Sequence, residues 1–360
     1  MTAPPSSESG PPPSGNGPPP SGAGEEPSGK VRTGAKLALG FALAAVFLWL
    51  AFRRIPLGEI LRTLADIRLL PVLLAIILQF GAHFARAWRW KLILSSSQPG
   101  LRRRRTFAAL MVGYAVNTFI PRGGELARAL FLRKIAGIPL SAGVSSVLGE
   151  RLLDLAALAA FLPFTLLPYQ ESLERIFPGL GRAATLAALA AVAGLVLLWL
   201  LARRPDRSVD RIRALLGRLL PSWKERGGAM AETFLLGLGG LFRRKNAWGM
   251  IALSAVIWLL YILSNWVLFS AISFNSSFSV GFWDAMALTF VVAVAFTLPS
   301  PGGTGTTHFF ASQMLLGLFP VLPAEALAYA TLVHANALVP TLILGGGFAA
   351  LMRPAKETPA

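Results

Sequence analysis

The 360-residue chain contains no cysteine, which excludes disulfides, thiolate catalysis and Cys-ligated metals. Charge is scarce as well. Only 14% of residues are charged against 54% hydrophobic, and mean hydropathy is +0.59, a balance that a soluble domain rarely tolerates. Acids are the scarcer sign, 17 Asp+Glu against 34 Lys+Arg, for a net charge of +17. In a soluble protein that surplus points to nucleic acid. Here the basic residues flank apolar runs and form no nucleic-acid module, so positive-inside topology and attraction to anionic headgroups account for them, and no nucleic-acid partner is expected. The alternating ten-residue strands of a β-barrel are missing. So are HExxH, GxSxG and any cluster of metal-ligand type; no hydrolase chemistry, metal or cofactor is expected.

What the chain does contain is apolar runs near or above the roughly 18–20 residues that span a bilayer. They imply an all-α polytopic membrane protein. Residues 1–34 begin as a Pro/Gly/Ser-rich stretch, PPPSGNGPPPSGAGEEPSG over 11–29, which has almost nothing to bury and reads as a disordered cytoplasmic tail. Six full spans are expected at about 35–52, 69–88, 144–167, 181–202, 247–272 and 325–350, within a membrane domain of residues 35–352. Two further apolar segments, about 106–138 and 283–319, are each broken by Pro and Gly, and 353–360 is a short C-terminal tail.

Charge sets orientation. The loop 89–105 carries six Lys/Arg and no acid, and 203–245 carries eleven against four acids; both are expected in the cytoplasm. The loops 168–182 (two Arg, two Glu) and 273–282 (uncharged) are expected outside. The loop 53–68 dissents, with four Arg against two acids on the expected outer side. Within 203–245, Val209, Ile212, Leu215, Leu216 and Leu219 line one helical face with arginines opposite, an interfacial helix on anionic lipid.

The two breaks echo one another: NTFIPRGGELAR at 117–128 and TLPSPGGTGTTH at 297–308, with Pro121 and Pro301 each opening a Gly-Gly step. If each broken segment is a re-entrant hairpin, eight membrane segments form two halves, about 35–167 and 181–350. Each half has three spans and one hairpin, so the halves are oppositely oriented and both termini are cytoplasmic. That is the inverted-repeat plan of many secondary transporters, whose sites form where broken helices meet. Two kinks in eight ordinary spans is the alternative.

The charges inside this apolar frame are the candidate chemistry, since one at the bilayer centre costs about 2.5–3.5 kcal/mol. Arg122, Glu125 and Arg128 stand beside the first break, and Glu150, Arg151 and Asp154 lie in the next span. Glu150 and Asp154 are i,i+4 and repel unless a cation lies between them; Arg151, i,i+3 from Asp154, serves part of that need. Arg122 or Arg128 is expected to reach Glu150 or Asp154. Gly123 and Gly124 free backbone N–H groups beside Arg122 and Arg128, which suits a phosphate; a salt-bridge lock without ligand is the alternative. In the second break, Pro301, Gly302, Gly303 and Gly305 accompany Thr304, Thr306, Thr307 and His308, neutral hydrogen-bonding groups suited to a headgroup or a proton relay. His334, Asn336, Ser264 and Asn265 read as interhelical hydrogen-bonding groups. Gln79, His83 and Arg86 share one face, with Arg86 expected to snorkel towards Arg89 and the cytoplasm.

Three motifs in order, Asn117-x3-Pro121-Arg-Gly-Gly-Glu125-x2-Arg128, Glu150-Arg151-x2-Asp154 and Pro301-Gly-Gly-x-Gly305, resemble the lysylphosphatidylglycerol synthase transmembrane-region family of flippase-like membrane proteins, over about residues 36–350. The resemblance implies an integral inner-membrane protein of six to eight spans, in some members moving a lipid between leaflets. It also implies no aminoacyl-lipid synthesis here, since the full-length synthases carry a further soluble transferase domain. Many relatives carry Glu where this chain has His308. The expected function is a lipid translocase, not an enzyme: Arg122, Arg128 and Arg151 engage a phosphate-bearing headgroup, Glu125, Glu150 and Asp154 balance charge, and Asn117, Thr304, Thr306 and His308 donate neutral hydrogen bonds. The partners are then membrane lipids, anionic or phosphate-bearing. The alternatives are an ion-coupled anion transporter, or a non-transporting partner of a lipid- or glycan-modifying enzyme at the cytoplasmic face.

Overall fold

The computed structural model describes residues 28–95, 98, 100–176, 178–239 and 244–352; most of the expected tail and all of 353–360 lie outside them. Among the described residues the regular elements are all helical. They run α1 Ser28–Phe52, α2 Leu57–Ala65, α3 Leu69–Leu94, α4 Arg103–Phe119, α5 Gly123–Ala136, α6 Leu140–Leu166, α7 Gln170–Ile176, α8 Leu180–Arg203, α9 Pro205–Leu219, α10 Lys224–Gly239, α11 Arg244–Phe269, α12 Phe282–Thr297, α13 Thr306–Leu318 and α14 Pro323–Leu351. Helix α1 starts at Ser28, inside the stretch expected to be disordered: after Pro27 no proline recurs until Pro56, so nothing there removes a backbone donor.

Three helices among the described residues are long and apolar enough to cross a bilayer, Leu69–Leu94, Trp248–Phe269 and Pro323–Leu351. A fourth candidate is bent: Leu37–Phe52 and Leu57–Ala65 meet at 83°. Helices α6 and α8 coincide with two of the remaining expected spans.

Packing sorts the connections into two ends. At one end Leu94, Leu101, Ile135 and Ile138 share an apolar cluster with Phe348 and Met352. Ile93, Val209, Leu235 and Met250 form a second cluster beside it, which brings in α9 and α10. This end holds the described parts of the basic stretches 89–105 and 203–245. At the opposite end Ile60, Ala271, Ile272, Val321 and Ala324 pack with Phe274 and Phe278. There the Arg68 N–H donates to the Ala271 carbonyl at 2.8 Å, and the Tyr169 hydroxyl donates to Asp284 Oδ1 at 2.5 Å. Burial, and then that hydrogen bond to a carboxylate, push the Tyr169 phenol above its ordinary pKa of 10. The loops grouped by charge are therefore grouped in space. Of the dissenting arginines, Arg62 lies in α2 and Arg53, Arg54 and Arg68 flank it; α2 is an amphipathic surface helix that turns across this end with Ile60 buried and Leu57 and Leu61 exposed.

Helix α9 corrects one expectation. Its apolar face is divided: Val209 and Ile212 pack into the cluster with Leu235 of α10, while Leu215 and Leu219 point outward. A stripe of five apolar positions is wide enough to cover a neighbouring helix and still leave an edge. That neighbour, α10, is a protein surface where only lipid was foreseen.

The two broken segments position the site. Helices α4 and α5 start and finish in the same basic-end cluster, and α12 and α13 start and finish in the opposite one. Each pair is a helical hairpin, and the two point at each other. In the first, the legs cross at Gly113 and Gly124, where a Cβ on Gly124 would stand 1.9 Å from the Gly113 carbonyl; only glycine allows that approach, the small-residue contact typical of helix pairs in lipid. Midway along α1, a Cβ on Gly40 would lie 2.9 Å from both the Pro121 side chain and the Pro299 carbonyl, so α1 passes over both tips. Hydrogen bonds tie the surrounding helices. Ser264 Oγ donates to the Ala75 carbonyl at 2.9 Å, Asn336 Nδ2 to Ser264 Oγ at 3.0 Å and Asn265 Nδ2 to Thr289 Oγ1 at 2.9 Å, as their polar types in apolar helices implied.

Candidate functional site

The site has two layers: a buried ion cluster behind the first hairpin, and the seam where the two tips meet.

The cluster is built on α6. Glu150 and Asp154, one turn apart, face α3, and Arg86 lies between them, donating Nε to Glu150 Oε1 at 2.5 Å and Nη2 to Asp154 Oδ2. Arg89 donates Nη2 to Asp154 Oδ1 at 2.5 Å and Nη1 to Ser254 Oγ of α11 at 2.8 Å. From the hairpin, Arg128 donates Nη1 to Glu150 Oε2 at 2.6 Å, with its guanidinium over the Trp90 ring at 4.9 Å. At the rim Arg151 pairs with Glu125 at 2.8 Å and lies 3.8 Å from Asp154. Four helices, α3, α5, α6 and α11, are thus joined through two carboxylates. Glu150 and Arg89 are fully buried, and Arg128 is 3% exposed.

The expected link from Arg128 to Glu150 is present. The expectation for Arg86 is wrong: it does not snorkel outward but supplies the cation that the Glu150–Asp154 spacing requires. An arginine about two turns from a helix end reaches water only if nothing nearer offers charge; two buried carboxylates, each expensive unless paired, are nearer. Arg89, read as a residue of the basic loop, is likewise part of the core. The sequence expectation met the need of Asp154 with Arg151, i,i+3 away; in the structure Arg151 pairs with Glu125 at 2.8 Å and stands 3.8 Å from Asp154.

At the first tip, α4 ends at Phe119 and the chain turns through Pro121 and Arg122. Arg122 has φ 61°, and among the described non-glycine residues no other has positive φ. The left-handed conformation costs an L-residue roughly 1–2 kcal/mol, and such strain gathers at functional sites. Asn117, expected among the neutral groups that bond the headgroup, caps α5: its Oδ1 accepts the Gly124 N–H at 2.7 Å. The exposed Arg122 side chain donates Nη2 to the Thr297 carbonyl of the second hairpin at 2.9 Å. It contacts neither Glu150 nor Asp154.

At the second tip, Gly302, Gly303 and Gly305 have φ of 57°, 74° and 79°, a path open to residues without Cβ. Thr306 Oγ1 lies 2.9 Å from Ser300 Oγ and turns inward. His334 Nε2 donates to the Gly302 carbonyl at 3.1 Å and is 3.5 Å from Thr304 Oγ1. Its ring stands 4.7 Å from that of His308. Thr307 Oγ1 and His308 Nδ1 are buried with no protein partner. The structure therefore brings Asn117, Arg122, Thr304, Thr306 and His308 to the two tips, and holds Glu125, Arg128, Glu150, Arg151 and Asp154 in the cluster behind the first. His334, taken only as an interhelical link, belongs to the second tip.

Comparison with known proteins agrees with the motifs. Residues 37–345 match the family described as the lysylphosphatidylglycerol synthase TM region. Among similar proteins are glycosyltransferase AglD of Haloferax volcanii, 26% identical over 337 residues, 86% of this chain and 53% of that protein. A UPF0104 membrane protein of Methanothermobacter thermautotrophicus is 26% identical over 264 residues, 69% of this chain and 73% of its own length. A UPF0104 membrane protein of Methanocaldococcus jannaschii is 34% identical over 115 residues, 31% and 33% of the two chains. The chain spans about half the length of the glycosyltransferase it matches.

Proposed function

The chain belongs to the lysylphosphatidylglycerol synthase transmembrane-region family, and we propose that it is a non-enzymatic lipid translocase of the inner membrane. One observation carries the reading: two broken helical segments, entering from opposite ends of the molecule, meet tip to tip, with a strained, exposed arginine at the seam. In this reading both hairpins are re-entrant, the two halves form an inverted repeat, and the basic end is cytoplasmic. Arg122 takes a phosphate-bearing headgroup bidentately when its bond to the Thr297 carbonyl opens, with the Thr304 hydroxyl on the facing tip. The ion cluster is the fixed body against which the tips move. Arg128, already bonded to Glu150 and buried, holds hairpin one to that body instead of taking the headgroup, and Arg151 with Glu125 forms the rim.

The test is mass spectrometry of lipids co-purifying with the protein and with an Arg122→Ala variant. One lipid class enriched over the bulk membrane and lost in the variant supports the reading. The same bulk profile in both preparations argues against it. A second reading is favoured by the name of one relative, a glycosyltransferase matched over half its length: the chain serves as a membrane partner of a glycan-modifying enzyme. On that reading Arg122→Ala leaves the lipid profile unchanged, and the basic α9–α10 pair is the surface that matters.

A further inference from the structure

An open surface depression of about 770 Å³ lies away from the hairpin seam, at the end opposite the basic belt, between the last turns of α11 and the segment leading to α12. Its lining includes Trp266, Phe274 and Phe278 together with Ser276, Ser277 and Ser279. No residue from 273 to 282 is charged. The lining combines broad apolar faces with hydroxyls that both donate and accept.

The wall is fixed in place. Trp266 Nε1 donates to the Val280 carbonyl at 2.8 Å, closing the segment onto α11. The Asn275 N–H donates to Glu325 Oε1 at 2.8 Å, and the other oxygen of this buried carboxylate accepts from the Leu322 N–H at 2.9 Å. Asp284 accepts from the Gly281 N–H at 2.7 Å and from Tyr169. Both acids near the depression are thus committed to the scaffold and leave its surface neutral. Phe274 and Phe278 meet edge to face at 5.0 Å, and Phe278 also packs on Phe319 at 5.1 Å, so the rings stand as a rigid wall.

An anion finds no counter-charge here, and an acyl chain leaves the hydroxyls unused. A pyranose ring fits both features: its C–H face lies on an aromatic ring, and its edge carries hydroxyls that pair with serines. We infer that this depression binds a neutral sugar ring and, resting on the translocation reading, that it receives the glycan headgroup of the carried lipid at the end away from the basic belt.

The experiment uses the full chain in a detergent without a sugar headgroup, with maltose as probe in saturation-transfer difference NMR. Transfer to the pyranose ring protons is expected, weakened about fivefold for each serine hydroxyl removed in Ser277→Ala and Ser279→Ala. These exposed positions leave the aromatic wall and the fold in place. An alkyl maltoside below its micelle concentration distinguishes the source: tighter binding than free maltose assigns a lipid-borne sugar, equal binding a soluble one, and either supports the site. No transfer above the detergent blank, or transfer equal in parent and serine variants, overturns the inference. Arg122→Ala keeps the maltose signal. Absence of that signal while Arg122-dependent lipid enrichment persists removes the sugar site and leaves translocation standing; the converse removes translocation and leaves a sugar site.

Discussion

The first hairpin reaches its tip through charge, with Arg128 and Glu125 tied to Glu150 and Arg151; the second reaches its tip through Ser300, Thr306 and three left-handed glycines, with no ion pair at its break among the described residues. The difference lies in what each packs against. Hairpin one stands beside α6, whose two carboxylates demand cations. Hairpin two stands between α1 and α14, which offer it the Phe47 ring and His334, so its polar groups satisfy one another. A charged anchor is strong and directional; a hydroxyl-and-glycine anchor is weak and leaves backbone conformations open. The physical expectation is that hairpin one is the rigid partner and hairpin two the adaptable one.

The largest effect should come from Glu150→Gln. It removes the charge that Arg86 and Arg128 share and leaves buried cations uncompensated, a loss of about 3–5 kcal/mol. Thermal unfolding in detergent should show a large drop, or no folded protein should be recovered. A variant as stable as the parent would end the distinction between the two anchors. Ser300→Ala, which deletes the hydroxyl pair in hairpin two, should cost about 1 kcal/mol in the same assay; a loss as large as that of Glu150→Gln would make the anchors equivalent. The smallest effect on stability is expected from Arg122→Gly. Relief of the left-handed backbone and the extra freedom of glycine in the unfolded chain oppose each other, so the unfolding temperature should correspond to a change within about 1 kcal/mol. Lipid enrichment should be lost all the same, and a variant that keeps it would remove Arg122 from the seam's chemistry.

Much of this was legible in the residues. The proline and Gly-Gly step shared by both breaks marked them because proline and glycine interrupt helices whatever the fold. The i,i+4 spacing of Glu150 and Asp154 announced a missing cation because helix geometry is local. Which cation it was could not be read: Arg86 lies 64 residues from Glu150, and the periodicity that puts Gln79, His83 and Arg86 on one face does not say whether that face meets water, lipid or protein. Asn117 showed the same limit. Its type and position suggested a ligand donor, yet the Gly124 N–H seven residues on captured it once the chain turned.

Composition and hydropathy by themselves determined that this is a helical membrane chain with a basic end and two broken segments, because burial in lipid selects for apolar composition and backbone self-sufficiency without reference to partners. Only the tertiary structure decided that the breaks meet, that Arg86 and Arg89 are core cations, and that Arg122 rather than Arg128 is left at the seam. Those outcomes depend on which helices become neighbours, and a buried charge takes whichever partner the packing brings within reach.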